Sequence, residues 1–183
     1  MCSLACEIYA TYEKSQPTTQ TDVFANVVAV LSDRSRINVG GRLSGHNTYG
    51  SNFTYSINPS YQLIKTPSNS LKLLAALSTA YIAPSLYQLY DPYSGNSELK
   101  PEENQSFEFG FVLNSSEWEI SSTYFQRVED PSLIYDLSTY RYENANENAR
   151  YNGVEAQISG SFSDKIKINN QLTFTQTKNG DLR

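Results

Sequence analysis

The chain has 183 residues, a formal net charge of −5, 39% hydrophobic residues and a mean hydropathy of −0.49, values that suit one soluble domain of ordinary size. No run approaches the roughly 20 apolar residues that a membrane-spanning helix needs, and net acidity with scattered Lys and Arg excludes the basic patch of a nucleic-acid surface. A membrane β-barrel stays open, because a barrel strand shows lipid only its alternate residues and about half of it is polar.

Taken in chain order, Cys2 and Cys6 come first. With His46 the single histidine, they are too few to build a zinc site, so no metal and no cofactor is expected. The stretch SLAC has the look of a lipoprotein cleavage site, but no basic and apolar segment precedes it. The plainer expectation is that Met1 stands at a truncation point inside a longer gene.

Strand patterns then recur to the end, at 7–12, 22–32, 37–45, 52–64, 71–82, 106–113, 118–128, 154–162 and 166–177. In the fourth of these, Phe53, Tyr55, Ile57, Tyr61 and Leu63 share one side, and Thr54, Ser56, Asn58, Ser60 and Gln62 the other. In 106–113 the row is Phe107, Phe109, Phe111 and Leu113. In 154–162 it is Val154, Ala156, Ile158, Gly160 and Phe162, and in the last strand Ile166, Ile168, Leu172 and Phe174. Only 22–32 is apolar on both sides. In water a stripe of this kind has to meet something apolar, either a protein core or lipid.

Links alternate too. Short ones are read at 33–36, 66–70, 114–117 and 163–165, and longer ones at 13–21, 46–51, 83–105 and 137–153. Tight turns at one rim and long loops at the other are the rhythm of an up-and-down membrane barrel. The segment lengths also suit strands that cross a bilayer at a tilt. Tyr55, Tyr61, Tyr81, Trp118 and Tyr124 have two readings, an interfacial girdle or simply good strand formers. Glu108, Glu119, Arg127, Glu155 and Lys167 fall on the inner face, where solvated lining is the plain reading and contact with solute or an inserted domain the sharper one.

The stretch APSLYQLYDPYSGNSELKPEENQSFEFG, from Ala83 to Gly110, resembles a phrase of the barrels of TonB-dependent outer-membrane receptors. The resemblance is carried by Ala83, Pro84, Ser85, Leu86, Gln88, Leu89, Tyr90, Gly95, Asn96, Leu99, Lys100, Pro101, Glu102, Phe107, Glu108 and Gly110. A second block follows with Tyr124, Phe125, Leu133 and Ile134, then YENANENARYNGVE with Tyr142, Asn144, Ala149, Gly153, Val154 and Glu155. Upstream, INVGGRLSGHNTYG looks like the family's Gly-Gly-Arg strand. Together they cover most of the chain in order, with the nearest look that of cobalamin-type receptors. Two departures stand out: Tyr81 and Ile82 replace the family's frequent Phe-Arg, and Ser97 replaces its usual proline.

The resemblance implies an all-β, antiparallel up-and-down transmembrane β-barrel, present in part: about nine strands of a barrel of about 22. Residues 1–183 would be an interior piece of that barrel domain, lacking the plug domain and the C-terminal strands, and unable to form a stable transporter alone. The implied function is active uptake of a scarce nutrient, cobalamin or a ferric siderophore, in the outer membrane of a Gram-negative bacterium. It implies no catalysis. The implied partners are outer-membrane lipid, the small-molecule ligand, and the TonB–ExbB–ExbD complex through the plug and TonB box. The loop residues read as ligand contacts are Tyr87, Tyr90, Tyr93, Asn96, Tyr140, Arg141 and Tyr142. Aromatics cover a large planar ligand with apolar area and keep a hydroxyl for orientation; their plain reading is loop packing. The loop acids Asp91, Glu98, Glu102 and Asp130 are scattered, whereas calcium wants several oxygens at close spacing. The alternatives are a passive outer-membrane porin, and a soluble β-sandwich binding or adhesin module. An outer-membrane hydrolase finds no base beside a nucleophile, and His46 reads as a polar loop residue.

Overall fold

The computed structural model describes residues 17–163 and 165–179. The strands are β1 (Gln20–Val30), β2 (Ser35–His46), β3 (Gly50–Lys65), β4 (Ser70–Ile82), β5 (Glu102–Asn114), β6 (Trp118–Glu129), β7 (Leu133–Asp136), β8 (Arg141–Asn144), β9 (Ala149–Ser163) and β10 (Ile166–Asn179). One helical turn, α1 (Leu86–Tyr90), interrupts the link between β4 and β5. Eight strands form a single antiparallel sheet in the order β1-β2-β3-β4-β5-β6-β9-β10, and β7 with β8 makes a separate hairpin. Each strand of the sheet is next to its sequence neighbour, as an up-and-down wall requires. The expected strand at 7–12 lies outside the described residues.

The register shows which face each residue takes. Phe107, Phe109 and Phe111 stand opposite Leu77, Ala75 and Leu73 on β4. The same row continues through Tyr124 of β6, Val154 of β9 and Phe174 of β10. On the far side it runs through Ile57 of β3, Val39 of β2 and Val27 of β1. The alternate row is polar: Asn26, Gly40 and Ser56 near one edge, and Glu108, Thr123, Glu155 and Thr173 toward the other. One apolar surface thus runs across the whole sheet, and the opposite surface is mostly wet, except at the β1 edge, where Phe24, Val28 and Val30 lie on it.

Nothing in the described chain covers that apolar surface. Phe107, Phe109 and Phe111 are 44%, 50% and 36% exposed, and the buried hydrophobic residues are Leu89, Leu99 and Ala149, all at one end of the sheet. A soluble sandwich would bury the Phe row between two sheets, so the sandwich alternative is set aside. The chain is a partial, unclosed barrel wall whose apolar rows need a non-aqueous neighbour.

Tight links at 31–34, 66–69 and 115–117, and the close succession of Ser163 and Ile166 in β9 and β10, mark one end of the wall. Longer excursions at 83–101 and 130–148 close the other. Three expectations are corrected here. The link after His46 is short, spanning only 47–49, because His46 itself closes the turn: its Nδ1 accepts from Thr48 N at 3.1 Å and Tyr49 N at 3.4 Å. The stretch 137–153 is not a plain loop, since it holds β8 and the start of β9. The stretch 83–105 holds α1 and the first residues of β5.

Gly153, which the sequence pattern puts just ahead of the strand at 154–162, sits inside β9, directly opposite Phe125 of β6. An added Cβ there would stand 2.6 Å from Phe125 Cζ and closer still to the Phe174 carbonyl oxygen. The ring lies over bare backbone, an aromatic covering of a strand glycine. Gly160 repeats the device under Trp118. We expect Gly153→Ala to move both neighbouring strands and to destabilise the wall by about 1–3 kcal/mol, the usual cost of overpacking. The urea midpoint of the detergent-folded protein, followed by heat-modifiable gel migration, measures this, and an unchanged midpoint would refute it.

Candidate functional site at the loop end

The longer excursions are built as one assembly. Ser85 caps α1: its Oγ accepts from Gln88 N at 3.2 Å, and Gln88 Oε1 accepts from Ser85 N at 2.8 Å. The chain then turns on Asp91, whose Oδ2 accepts from Ser94 Oγ at 2.7 Å, Ser94 N at 2.8 Å and Tyr93 N at 3.2 Å. Those donors, the Ser94 hydroxyl first, hold the Asp91 carboxyl below its ordinary range.

The hairpin of β7 and β8 docks on this turn. Tyr142 N donates to Ser94 O at 3.0 Å, and Asn96 Nδ2 donates to Tyr142 O at 2.9 Å. Lys100 N donates to Asn144 Oδ1 at 2.8 Å, while Asn144 Nδ2 donates back to Lys100 O at 3.0 Å. From below, Glu102 Oε2 accepts from Leu133 N at 3.2 Å. The Tyr142 ring lies edge-on to Tyr135 at 5.1 Å and to Tyr87 at 6.1 Å. Leu89 and Leu99 fill the base of the assembly.

Of the residues read as ligand contacts, three come together: Tyr87, Asn96 and Tyr142. Asn96 is used structurally, since its Nδ2 holds the hairpin and its Oδ1 accepts from Glu98 N at 3.0 Å. Tyr90 ends α1 and is half-buried. Tyr93 is 89% exposed, Tyr140 occupies the tight turn of the hairpin with φ at 56°, and Arg141 begins β8 opposite Asp136. These three stand apart from the tyrosine cluster. Tyr135 was missed, although Leu133–Asp136 lies between Pro131 and Ser138 as a short strand-forming run. Among the described residues no group of three or more His, Cys, Asp or Glu stands where it could hold a metal ion. Asp91 and Glu102 instead bind backbone.

Below the loops, the inner face presents Glu108, Arg127, Glu129, Tyr151 and Glu155 in one depression. Arg127 pairs with the buried Glu129 and lies over the Tyr151 ring at 5.9 Å. Ser132 Oγ also donates to Glu129, at 3.4 Å. This inner surface is charged, with Arg127 and Glu129 paired on it, which suits a wall facing water or another protein segment.

With this geometry in hand, the family model described as TonB dependent receptor-like, beta-barrel matches residues 7–182. The chain belongs to the TonB-dependent receptor family. It is 32% identical over 147 residues to the vitamin B12 transporter BtuB of Vibrio cholerae, covering 79% of this chain and 23% of that protein. With the namesake of Photobacterium profundum it shares 36% identity over 94 residues, 51% of this chain and 15% of that one. It thus spans about a quarter or less of these relatives. Among solved structures, the ferric enterobactin receptor PfeA of Pseudomonas aeruginosa superposes with TM-score 0.75 at 25% identity, over 87% of this chain and 27% of that one. The siderophore receptor PirA of the same organism gives TM-score 0.77 at 22% identity, over 87% and 32%. Both relatives and neighbours are named as transporters and receptors.

In this receptor barrel segment the loop assembly depends on Asp91 and Asn96. Asp91 contributes while ionised: with its carboxyl held low, that contribution is intact above the ordinary carboxylate range and is lost as pH falls through the depressed value. Amide protection factors at 93–96, corrected for the intrinsic pH dependence of exchange, should therefore stay high at pH 5 and fall only in stronger acid. Asp91→Ala should lower them already at neutral pH. Equal exchange in parent and variant would contradict the anchoring role.

Proposed function

We propose that the protein forms wall and outer loops of a TonB-dependent uptake receptor in the outer membrane of a Gram-negative bacterium. The carrying observation is the apolar face shared by Val27, Ile57, Phe109, Val154 and Phe174, exposed on one side of a sheet whose other side is mostly polar. Moving a Phe or Leu side chain of that row from water to hydrocarbon gains roughly 1.5–3 kcal/mol. The tight links then lie at the periplasmic rim and the 83–101 and 130–148 excursions outside the cell.

In this reading the nutrient is a cobalamin or a ferric siderophore, and uptake is driven by the TonB–ExbB–ExbD complex. The similarity to BtuB supports a corrinoid, and the likeness to PfeA a ferric siderophore. Ligand contact falls on the rings of Tyr87, Tyr135 and Tyr142, with the exposed Tyr93, Tyr140 and Arg141 as further contacts on the same loops. Tyr90 and Asn96 shape the support beneath them.

Two measurements test the reading. Phe109→Lys places a charge at mid-height of the lipid face and should cost about 2–4 kcal/mol of folding free energy in bilayers, while Thr123→Lys on the inner face should cost under about 1. Equal costs would show that the two faces share one environment. Tyr87→Ala with Tyr135→Ala should weaken binding of cyanocobalamin or of ferric enterobactin about tenfold, since each aromatic contact carries about 0.5–1.5 kcal/mol. Equilibrium titration of the purified receptor measures it, and unaltered affinity for both would remove the cluster from the ligand site.

A further inference from the structure

On the outward face of β9 and β10 the apolar row ends at Val154 and Phe174. Toward the loops it is followed by Asn152 opposite Gln176, and then by Arg150 opposite Lys178. Two cations directly across from each other on one face destabilise a strand pair. Neither has an ion-pair partner among the described residues, whose two ion pairs are Arg42 with Asp22 and Arg127 with Glu129. Both side chains are exposed. The next positions on that face are Val128 and Gln105. Glu103 and Asp130 stand one step nearer the loops, and neither pairs with Arg150. Glu129 and Glu155 belong to the inner face.

The height of the pair is also informative. From Phe162 to Val154 the outward row spans roughly 27 Å along the strand, at about 3.4 Å per residue. At a tilt near 45° that is about 20 Å of height, close to the apolar band of an outer-membrane barrel. Arg150 lies four residues further, about 10 Å higher, and its side chain, like that of Lys178, is long enough to reach back along the wall. The two charges therefore fall at headgroup level, beside amide groups that donate and accept.

We propose that Arg150 and Lys178 form a binding site for the phosphate of an outer-leaflet lipid headgroup, with Gln176 and Asn152 binding the polar groups beneath it. The Arg fork meets two phosphate oxygens at once and the Lys adds a point charge. An anion between them turns a repulsive cross-strand pair into a bridged one. This inference rests on the membrane orientation proposed above.

The test is native mass spectrometry of the receptor extracted from outer membranes in mild detergent, counting retained phosphorylated lipid. The parent should hold such lipid. Arg150→Gln with Lys178→Gln should lose it about tenfold or more, since each basic contact near a charged surface is worth about a factor of five. Lys165→Gln at the opposite rim should retain as much as the parent. Heat-modifiable migration shows that each variant is folded. Equal retention in the folded double variant overturns the site while leaving the membrane reading intact, and displacement of the lipid by inorganic phosphate overturns the assignment to lipid. Absence of the parent from the outer membrane would instead overturn the orientation on which the site depends.

Discussion

Hydrocarbon offers no partner to a backbone N–H or C=O, so a strand that crosses it has to be paired along its length by its neighbours. That constraint organises this wall. From β2 to β9 each strand of the sheet is bonded on both sides, with registers running nearly end to end. The β3 and β4 pair is the partial exception. Its ladder stops at Ser56 opposite Ser78, and beyond that point Tyr55 N donates to Thr79 Oγ1 at 3.0 Å instead. The outermost strands β1 and β10 have one neighbour each among the described residues. A closed barrel needs a further strand on each of those edges.

Once pairing fixes the register, the sidedness follows without further choice, because a period of two sends every second side chain to the same face. Phe107, Phe109 and Phe111 go outward together or inward together. The inner face is then free to carry Glu108, Arg127 and Glu155, which hydrocarbon would reject. The same register explains the glycines under aromatic rings. Phe125 is an apolar residue on the wet face, and it lies flat over Gly153 instead of standing into the lumen.

The sheet was legible in the sequence because alternation over twelve to sixteen residues is a long signal. What escaped was short. The hairpin strands Leu133–Asp136 and Arg141–Asn144 and the turn Leu86–Tyr90 are four or five residues each. They are held by contacts distant in sequence, such as Asn96 to Tyr142 and Lys100 to Asn144. No local pattern announces those. β1 read as apolar on both sides because Phe24, Val28 and Val30 occupy the polar face at the edge of the sheet. The loop tyrosines were readable as a set. Which of them would converge was not, because that depends on the hairpin, whose Tyr135 joins Tyr87 and Tyr142.

The most direct test of the account is spin-label accessibility scanned along β5 in lipid bilayers, from Ser106 to Leu113. The labels at Phe107, Phe109, Phe111 and Leu113 should collide with oxygen dissolved in the acyl chains. Those at Ser106, Glu108, Gly110 and Val112 should instead be shielded from oxygen or reached by a water-soluble nickel chelate. An oscillation of period two with those phases is what a lipid-facing wall produces. Phe-row positions that are open to the chelate, or closed to both reagents like a protein core, would contradict it.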